Sequence, residues 1–232
     1  MAVYCISDLH GHLNLWNKMN KELFKEDDII YCLGDSTDRG PEPWQTFKEI
    51  YCDPRVIYIL GNHEDMLVNA GREVLYGDYY DYDAEDLLNY NGGYNTFRQW
   101  QEEKNKEEWL EKIQKIPYFI KYYNKNKQTI WLTHAGFTPN HTPTKEESLW
   151  SREHYLTEEN KIVKDWNNCY IIHGHTNKKH IAAKHGNTIN LNQPYWYANG
   201  HKCCIDAGTA RTKSAIVLNL DTFESYYFTL NK

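Results

Sequence analysis

Three short apolar runs, AVYCIS (2–7), DIIYCLG (28–34) and RVIYILG (55–61), alternate with helical stretches near residues 13–24 and 42–51. Runs of this kind, with little polar alternation, suit strands covered on both faces. Between the first two, Trp16, Met19 and Leu23 recur at helical rather than strand spacing. The chain therefore predicts an α/β fold that begins βαβαβ, with buried parallel strands.

Each run ends in a polar motif: SDLHG, then GDSTDRG, then GNHED. Ligands of open α/β sheets bind outside the carboxyl ends of the strands, so these three termini should converge on one crevice. Residues 64–116 read as a helical excursion after the third strand, closed by KEEWLEKIQKIPYFI. There Trp109, Leu110, Ile113 and Ile116 share a face and Pro117 stops the helix. Inside it, YGDYYDYDAED (76–86) reads as a solvated acidic loop, with a substrate-shaping rim as the alternative. The remainder is β-rich, through PYFIKYY, QTIWLTHAG, CYIIHGHT, NTINL, KCCIDAG, SAIVLNL and SYYFTL, and two of these runs end in histidine motifs, at His134 and His175.

No Pro/Gly/Ser-rich linker divides the sequence, which predicts a single domain over 1–232. A formal net charge of −6 argues against a general nucleic-acid binder, whose affinity comes mostly from basic surface. The apolar MAVYCIS lacks a basic lead and runs at once into Asp8 and His10, so neither a signal peptide nor a membrane span is expected, and a cytoplasmic location is. Six cysteines without a C-x-x-C predict buried free thiols rather than a disulfide framework or zinc cluster.

In chain order the strand-end groups are Asp8, His10, Asp35, Asp38, Arg39, Asn62, His63, His134, His173 and His175. Carboxylates with imidazoles and no thiolates suit Mn²⁺, Fe or Zn²⁺, and this many donors suit two ions better than one. Asp8 and His10 can grip one ion, since D-x-H puts two donors on one side of an extended strand end. Asp35 can bridge both ions with its two oxygens, and Asn62, His134 and the G-H-T region complete the second. Two cations about 3.5–4 Å apart clamp a displacement at phosphorus and make a bound water acidic enough to act as hydroxide. His63 is then the candidate general acid for the leaving oxygen, Asp38 its orienter, and Arg39 a clamp on the phosphoryl oxygens.

Taken together, SDLHG, GDSTDRG, GNHED, THAG and HGHT resemble the calcineurin-like metallophosphoesterase superfamily, and the D-R-G and G-N-H-E forms resemble its PPP serine/threonine phosphatase branch. LLNYNGGYNTF (87–97) is similar to a segment of bacterial and phage members. The resemblance implies a two-sheet β-sandwich flanked by helices, two divalent ions with manganese first, and His175 rather than His173 as the ligand. LWSREHY (149–155) is similar to the segment carrying a second phosphate-binding arginine, which would be Arg152; Asn62 would touch the phosphate as well. Ser7 stands where the family usually has glycine.

The implied activity is hydrolysis of phosphomonoesters, foremost phosphoserine and phosphothreonine proteins, with small phosphoesters as looser substrates. The alternative is a dinucleoside polyphosphate hydrolase of the symmetrical diadenosine tetraphosphatase kind, in which Tyr76, Tyr79, Tyr80 and Tyr82 could stack on a base. Asp78, Asp81, Asp83, Glu85 and Asp86 beside them would repel a polyphosphate. His12 is expected at the surface, Asp206 as a turn former, and Glu64 as either orienter or ligand. Asn91-Gly92-Gly93 should form a turn whose backbone approaches core or substrate.

Overall fold

Backbone alternation assigns each face of the first strand. In the computed structural model, which describes residues 1–80, 82–139, 141–156 and 168–230, β1 (Val3–Ile6) turns Val3 and Cys5 to one side and Tyr4 and Ile6 to the other, and all four are buried. Side chains alternate with period two, so a strand buried throughout needs a cover on both faces. Helices cover one, and a second sheet covers the other.

The first sheet continues through α1 (Leu13–Glu22), β2 (Ile29–Cys32), α2 (Pro43–Cys52) and β3 (Val56–Tyr58), with β1, β2 and β3 parallel. Four helices follow: α3 (Asn62–Tyr76), α4 (Ala84–Tyr90), α5 (Tyr94–Gln101) and α6 (Lys106–Gln114). They realise the predicted excursion. The second sheet is built from β4 (Phe119–Tyr123), β5 (Thr129–Thr133), β6 (Cys169–His173), β7 (Tyr195–Tyr197) and β8 (Lys202–Cys204), with α7 (Lys145–Trp150) and α8 (Lys178–Lys184) in its connections. The chain then passes through α9 (Thr209–Thr212) and returns to the first sheet as β9 (Ser214–Asn219) and β10 (Ser225–Thr229).

Strand order is β10-β9-β1-β2-β3 in one sheet and β4-β5-β6-β8-β7 in the other. Each holds three adjacent parallel strands, β1-β2-β3 and β5-β6-β8, with antiparallel strands beyond them. The inter-sheet layer joins Val3, Cys5, Leu33 and Leu218 to Ile130, Leu132, Ile172 and Cys203. Outside the first sheet, Tyr4, Ile6 and Ile30 pack on Trp16, Phe47, Met66 and Leu110 of the helices. This is an α/β fold of two mixed sheets flanked by helices, as the resemblance implies.

Two local expectations fail. NTINL (187–191) forms no strand; the edge strand is Tyr195–Tyr197. The reason is the buried Lys178, whose Nζ donates to the carbonyls of Leu191 (2.5 Å) and Gln193 (2.7 Å), drawing these acceptors out of any ladder. His12 is buried rather than at the surface, because its Nδ1 donates to the carbonyl of His10 at 2.8 Å and so folds the ring back onto the turn. Cys5, Cys32, Cys203 and Cys204 are buried free thiols, as expected, while Cys52 is exposed. Among the described residues, no helix is long and apolar enough to cross a membrane.

Candidate active site

Beyond the strand ends the parallel pairing is carried on by loops. The N–H of Leu33 donates to the carbonyl of Ile6, Asp8 N–H to Gly34, His10 N–H to Asp35 and Gly11 N–H to Ser36, at 2.8–3.1 Å. The first two polar motifs are thereby zipped together. In the other sheet Gly174 N–H donates to the carbonyl of His134 at 2.8 Å and Ile205 N–H to that of His173 at 2.9 Å.

These loops carry unusual backbone. Asp8, His10, Asp35, Asp38, Arg39 and His175 all have positive φ, between 41° and 67°. Such conformations are sparsely populated for residues with a Cβ, cost roughly 1–3 kcal/mol each, and persist only where the surroundings over-determine them. Glu64 is the main restraint on the second loop. Its buried carboxylate accepts from the N–H groups of Asp35 (2.8 Å), Ser36 (2.9 Å), Thr37 (3.2 Å) and Gly61 (3.2 Å), and from the hydroxyls of Thr37 and Tyr58 (both 3.1 Å). Glycine is required where the loops touch: a Cβ on Gly34, itself at φ +88°, would collide with the backbone of Gly61.

The predicted strand-end donors other than His173 meet in one place. Asp35 is central: its Oδ1 accepts the backbone N–H of His63 at 3.1 Å, and its Oδ2 lies 3.3 Å from His134 Nε2, 3.7 Å from His10 Nε2 and 3.8 Å from His63 Nε2. A single oxygen therefore faces both halves of the cluster. Its Oδ1 is taken by the first turn of α3, so the oxygen turned towards both groups of imidazoles is Oδ2. On one side, donor atoms of Asp35, His134 and His175 lie within 4.8 Å of one another; on the other, those of His10, Asp35 and His63 do. Asn62 Oδ1 joins the former, 2.9 Å from His134 Nε2 and 3.0 Å from His175 Nδ1. Asp8 stands 4.0 Å from His10 Nε2 and accepts the N–H of His175 at 3.0 Å.

Tautomers follow from the outer contacts. His10 Nδ1 donates to the Thr37 carbonyl (2.9 Å) and His134 Nδ1 to that of Leu33 (2.7 Å), which turns both Nε2 atoms inward. Burial opposes charge on Asp35, but the imidazoles of His134 and His63 outweigh it and hold the carboxyl well below its ordinary range. Burial likewise opposes charge on His134, yet Asp35 reverses this and lifts the imidazole to about 9. Asp8 is pushed up by burial and then by Asp206. Crowded buried carboxylates beside inward nitrogens, with the Nε2 of His175 buried and unpaired among the described residues, are a donor set suited to divalent cations.

Around this centre, His63 Nδ1 faces Asp38 Oδ2 at 2.5 Å. Asp38 is itself held by the hydroxyl of Thr96 on α5, a partner 58 residues away with no signature in the sequence. Arg39 lies exposed over the cluster and donates to His10 Nε2 (2.8 Å), His63 Nε2 (2.7 Å) and the Asn91 carbonyl (3.3 Å), while its N–H donates to the Gly92 carbonyl. The N-G-G turn therefore serves Arg39. Arg152 donates to Thr176 Oγ1 at 2.8 Å, next to His175. His173 is fully buried against the Tyr197 hydroxyl, away from the donors.

Ser7 fits because Gly174 has no side chain. The Ser7 hydroxyl donates to Asp8 Oδ2, and any Cβ on Gly174 would fall on these atoms. Asp206 forms the expected turn, its Oδ1 accepting from Gly208 N–H at 2.6 Å. The cavity over the cluster, about 390 Å³, is lined by His10, Arg39 and His175 and also by Tyr90, Asn91, Asn177, Asp206 and Arg211, none of these last five among the expected site residues. The described residues of the acidic segment take no part in that wall: Asp78 pairs with Arg72 and Asp83 caps α4, while Asp81 lies outside the described residues.

Known proteins show the same architecture. Over 71 residues the chain is 34% identical to a symmetrical bis(5′-nucleosyl)-tetraphosphatase of Buchnera aphidicola subsp. Schizaphis graminum, a match that covers 29% of this chain and about a quarter of that relative's length, 26%. A protein described as a candidate diadenosine tetraphosphatase superposes with a TM-score of 0.63 over 99% of this chain and 94% of its own, at 15% identity. A serine/threonine phosphatase from Saccharomyces cerevisiae gives 0.61 over 100% and 81%, at 11% identity. At such identities these structures share the fold. The profile of the calcineurin-like phosphoesterases matches residues 1–179, the span that carries every one of the converging motifs, and the chain belongs to that family.

Proposed function

We propose that the chain is a metal-dependent phosphatase whose nucleophile is water, and that phosphoserine and phosphothreonine proteins are its substrates. The single observation that carries the proposal is the position of Asp35 Oδ2, which faces His134 on one side and His10 on the other. Asp8, His10 and Asp35 would hold one cation, and Asp35, Asn62, His134 and His175 a second. Bound there, two divalent ions, Mn²⁺ foremost with Fe or Zn²⁺ as alternatives, would supply an acidified water and neutralise charge on the phosphoryl oxygens.

The side chains do the rest. Phosphoryl oxygens are stronger acceptors for a guanidinium than a neutral imidazole, so an entering substrate draws Arg39 off His63. That frees Nε2 of His63 to carry a proton, with Asp38 holding Nδ1–H and stabilising the imidazolium. His63 then delivers the proton to the departing alkoxide. Arg152, beside His175, adds a second donor to the phosphate, and Asn62 shares in binding it.

A second reading, hydrolysis of dinucleoside polyphosphates, is favoured by one observation. Of the carboxylates of residues 76–86, which would oppose a polyphosphate, the described ones do not line the cavity. Titrating metal-stripped protein with Mn²⁺ in a calorimeter should give two sites per chain, and Asp35→Asn should weaken both and reduce turnover of a phosphopeptide at least 10³-fold. Near-normal turnover by that variant with full metal content would remove the proposal. Rates on a phosphopeptide and on diadenosine tetraphosphate, compared at equal metal, choose between the two readings.

A further inference from the structure

The cavity above the cluster is larger than the phosphoryl group it would have to receive. A water's share of liquid volume is about 30 Å³, so 390 Å³ has room for on the order of a dozen water-sized groups. A phosphoryl group would leave most of it unfilled. His10 and His175 mark the end of the cavity that borders the donor cluster, and Arg211, on α9, belongs to its wall.

Arg211 is exposed, and among the described residues no carboxylate pairs with it. Of the described residues lining the cavity only Asp206 is acidic, and its Oδ1 is turned to its own loop by Gly208 N–H. Two guanidiniums thus line one cavity: Arg39, hydrogen-bonded within the cluster, and Arg211, whose guanidinium makes no such bond among the described residues. A guanidinium on the wall of a confined site selects an anion, and its planar fork suits phosphate oxygens. Tyr90, 90% exposed, stands on the same wall without a ring contact among the described residues, which leaves its faces open to a planar base.

We infer that Arg211 is a specificity-determining residue that binds a second phosphate on the leaving-group side, so that the site, besides phosphomonoesters, takes phosphoanhydrides of the nucleoside polyphosphate class. This rests on the phosphoesterase reading above and concerns only what departs. In such a reaction water adds to one phosphorus, the P–O–P bridge breaks, and the bridging oxygen leaves on the second phosphate while one proton passes to solvent. A phosphate leaving group is weakly basic, so the proton of His63 matters less than for an alkyl ester. Arg211 would steady the charge that the departing phosphate acquires.

The test compares kcat/KM for diadenosine tetraphosphate, inorganic tripolyphosphate and p-nitrophenyl phosphate at fixed ionic strength in Mn²⁺, for the full chain and its variants. Arg211→Ala should lower the ratio of polyphosphate to aryl phosphate kcat/KM at least tenfold, mainly through KM, with Arg211→Glu lower still and Arg211→Lys intermediate. Tyr90→Ala should weaken the dinucleotide relative to tripolyphosphate. An unchanged ratio in Arg211→Ala would overturn the inference. Failure of the wild-type chain on all three substrates would instead overturn the phosphoesterase reading beneath it.

Discussion

Arg39 and Asp38, adjacent in the chain, grip opposite nitrogens of His63: the guanidinium donates to Nε2 at 2.7 Å, and the carboxylate accepts from Nδ1 at 2.5 Å. Both residues sit in left-handed backbone, at φ 63° for Arg39 and 67° for Asp38, and this sharp turn lets neighbours reach the same ring from two sides. The ring cannot accept from Arg39 and carry an Nε2 proton together. On the proposed function, a phosphate that draws Arg39 away would free Nε2 of His63.

His63→Ala should slow hydrolysis of phenyl phosphate by about 10²–10⁴ while slowing an activated ester such as 2,4-dinitrophenyl phosphate much less, because only a poor leaving group needs a proton. Metal content should stay at two. Its donor atoms also lie near His10 and Asp35, so a variant that lost one metal and slowed all esters equally would make His63 a ligand instead.

Gly174→Ala should destabilise the protein by about 1–3 kcal/mol, since its methyl would be forced onto the Ser7 hydroxyl and Asp8. Removing the Ser7 side chain as well should recover part of that loss, leaving a coupling of at least about 0.5 kcal/mol in a double-mutant cycle. Urea unfolding of the four proteins measures it. Strict additivity would mean that the two residues do not share this space.

Lys202 offers a pH signature away from the donor cluster. Its buried Nζ donates to the carbonyls of Phe137 (3.3 Å) and His154 (3.1 Å), and burial pushes the ammonium down to about 8. An unfolded lysine titrates near 10.4, so between about pH 8 and 10.4 the unfolded chain binds more protons and stability rises with pH. The penalty is complete below pH 8. Lys202→Met should flatten that part of the stability curve, seen as urea midpoints that converge or cross with wild type above pH 8. Parallel curves would contradict the depressed ammonium.

Apolar runs reported strands because burial on both faces leaves no polar alternation to confuse the period. The polar groups at their ends reported the crevice because parallel strands bring their carboxyl ends to one side. Asp8, His10, Asp35, Asn62, His63, His134 and His175 were legible for that reason. NTINL misled because its β-type composition is local, whereas Lys178, which claims the nearby carbonyls, acts from 13 residues earlier. His12 misled because exposure follows from a turn's path, which composition does not encode.

By itself the sequence determined most of the strands, the order of the motifs and the chemistry of the donors, since these depend on periodicity and residue type over a few positions. Only the tertiary structure decided that one oxygen of Asp35 faces both halves of the cluster, that Glu64 and Thr96 hold the loops and Asp38, and that Arg211 shares a cavity with Arg39. The physical reason is range. Strand and helix preferences are settled between near neighbours, whereas hydrogen-bond partners and cavity walls are chosen by packing between segments that lie tens of residues apart.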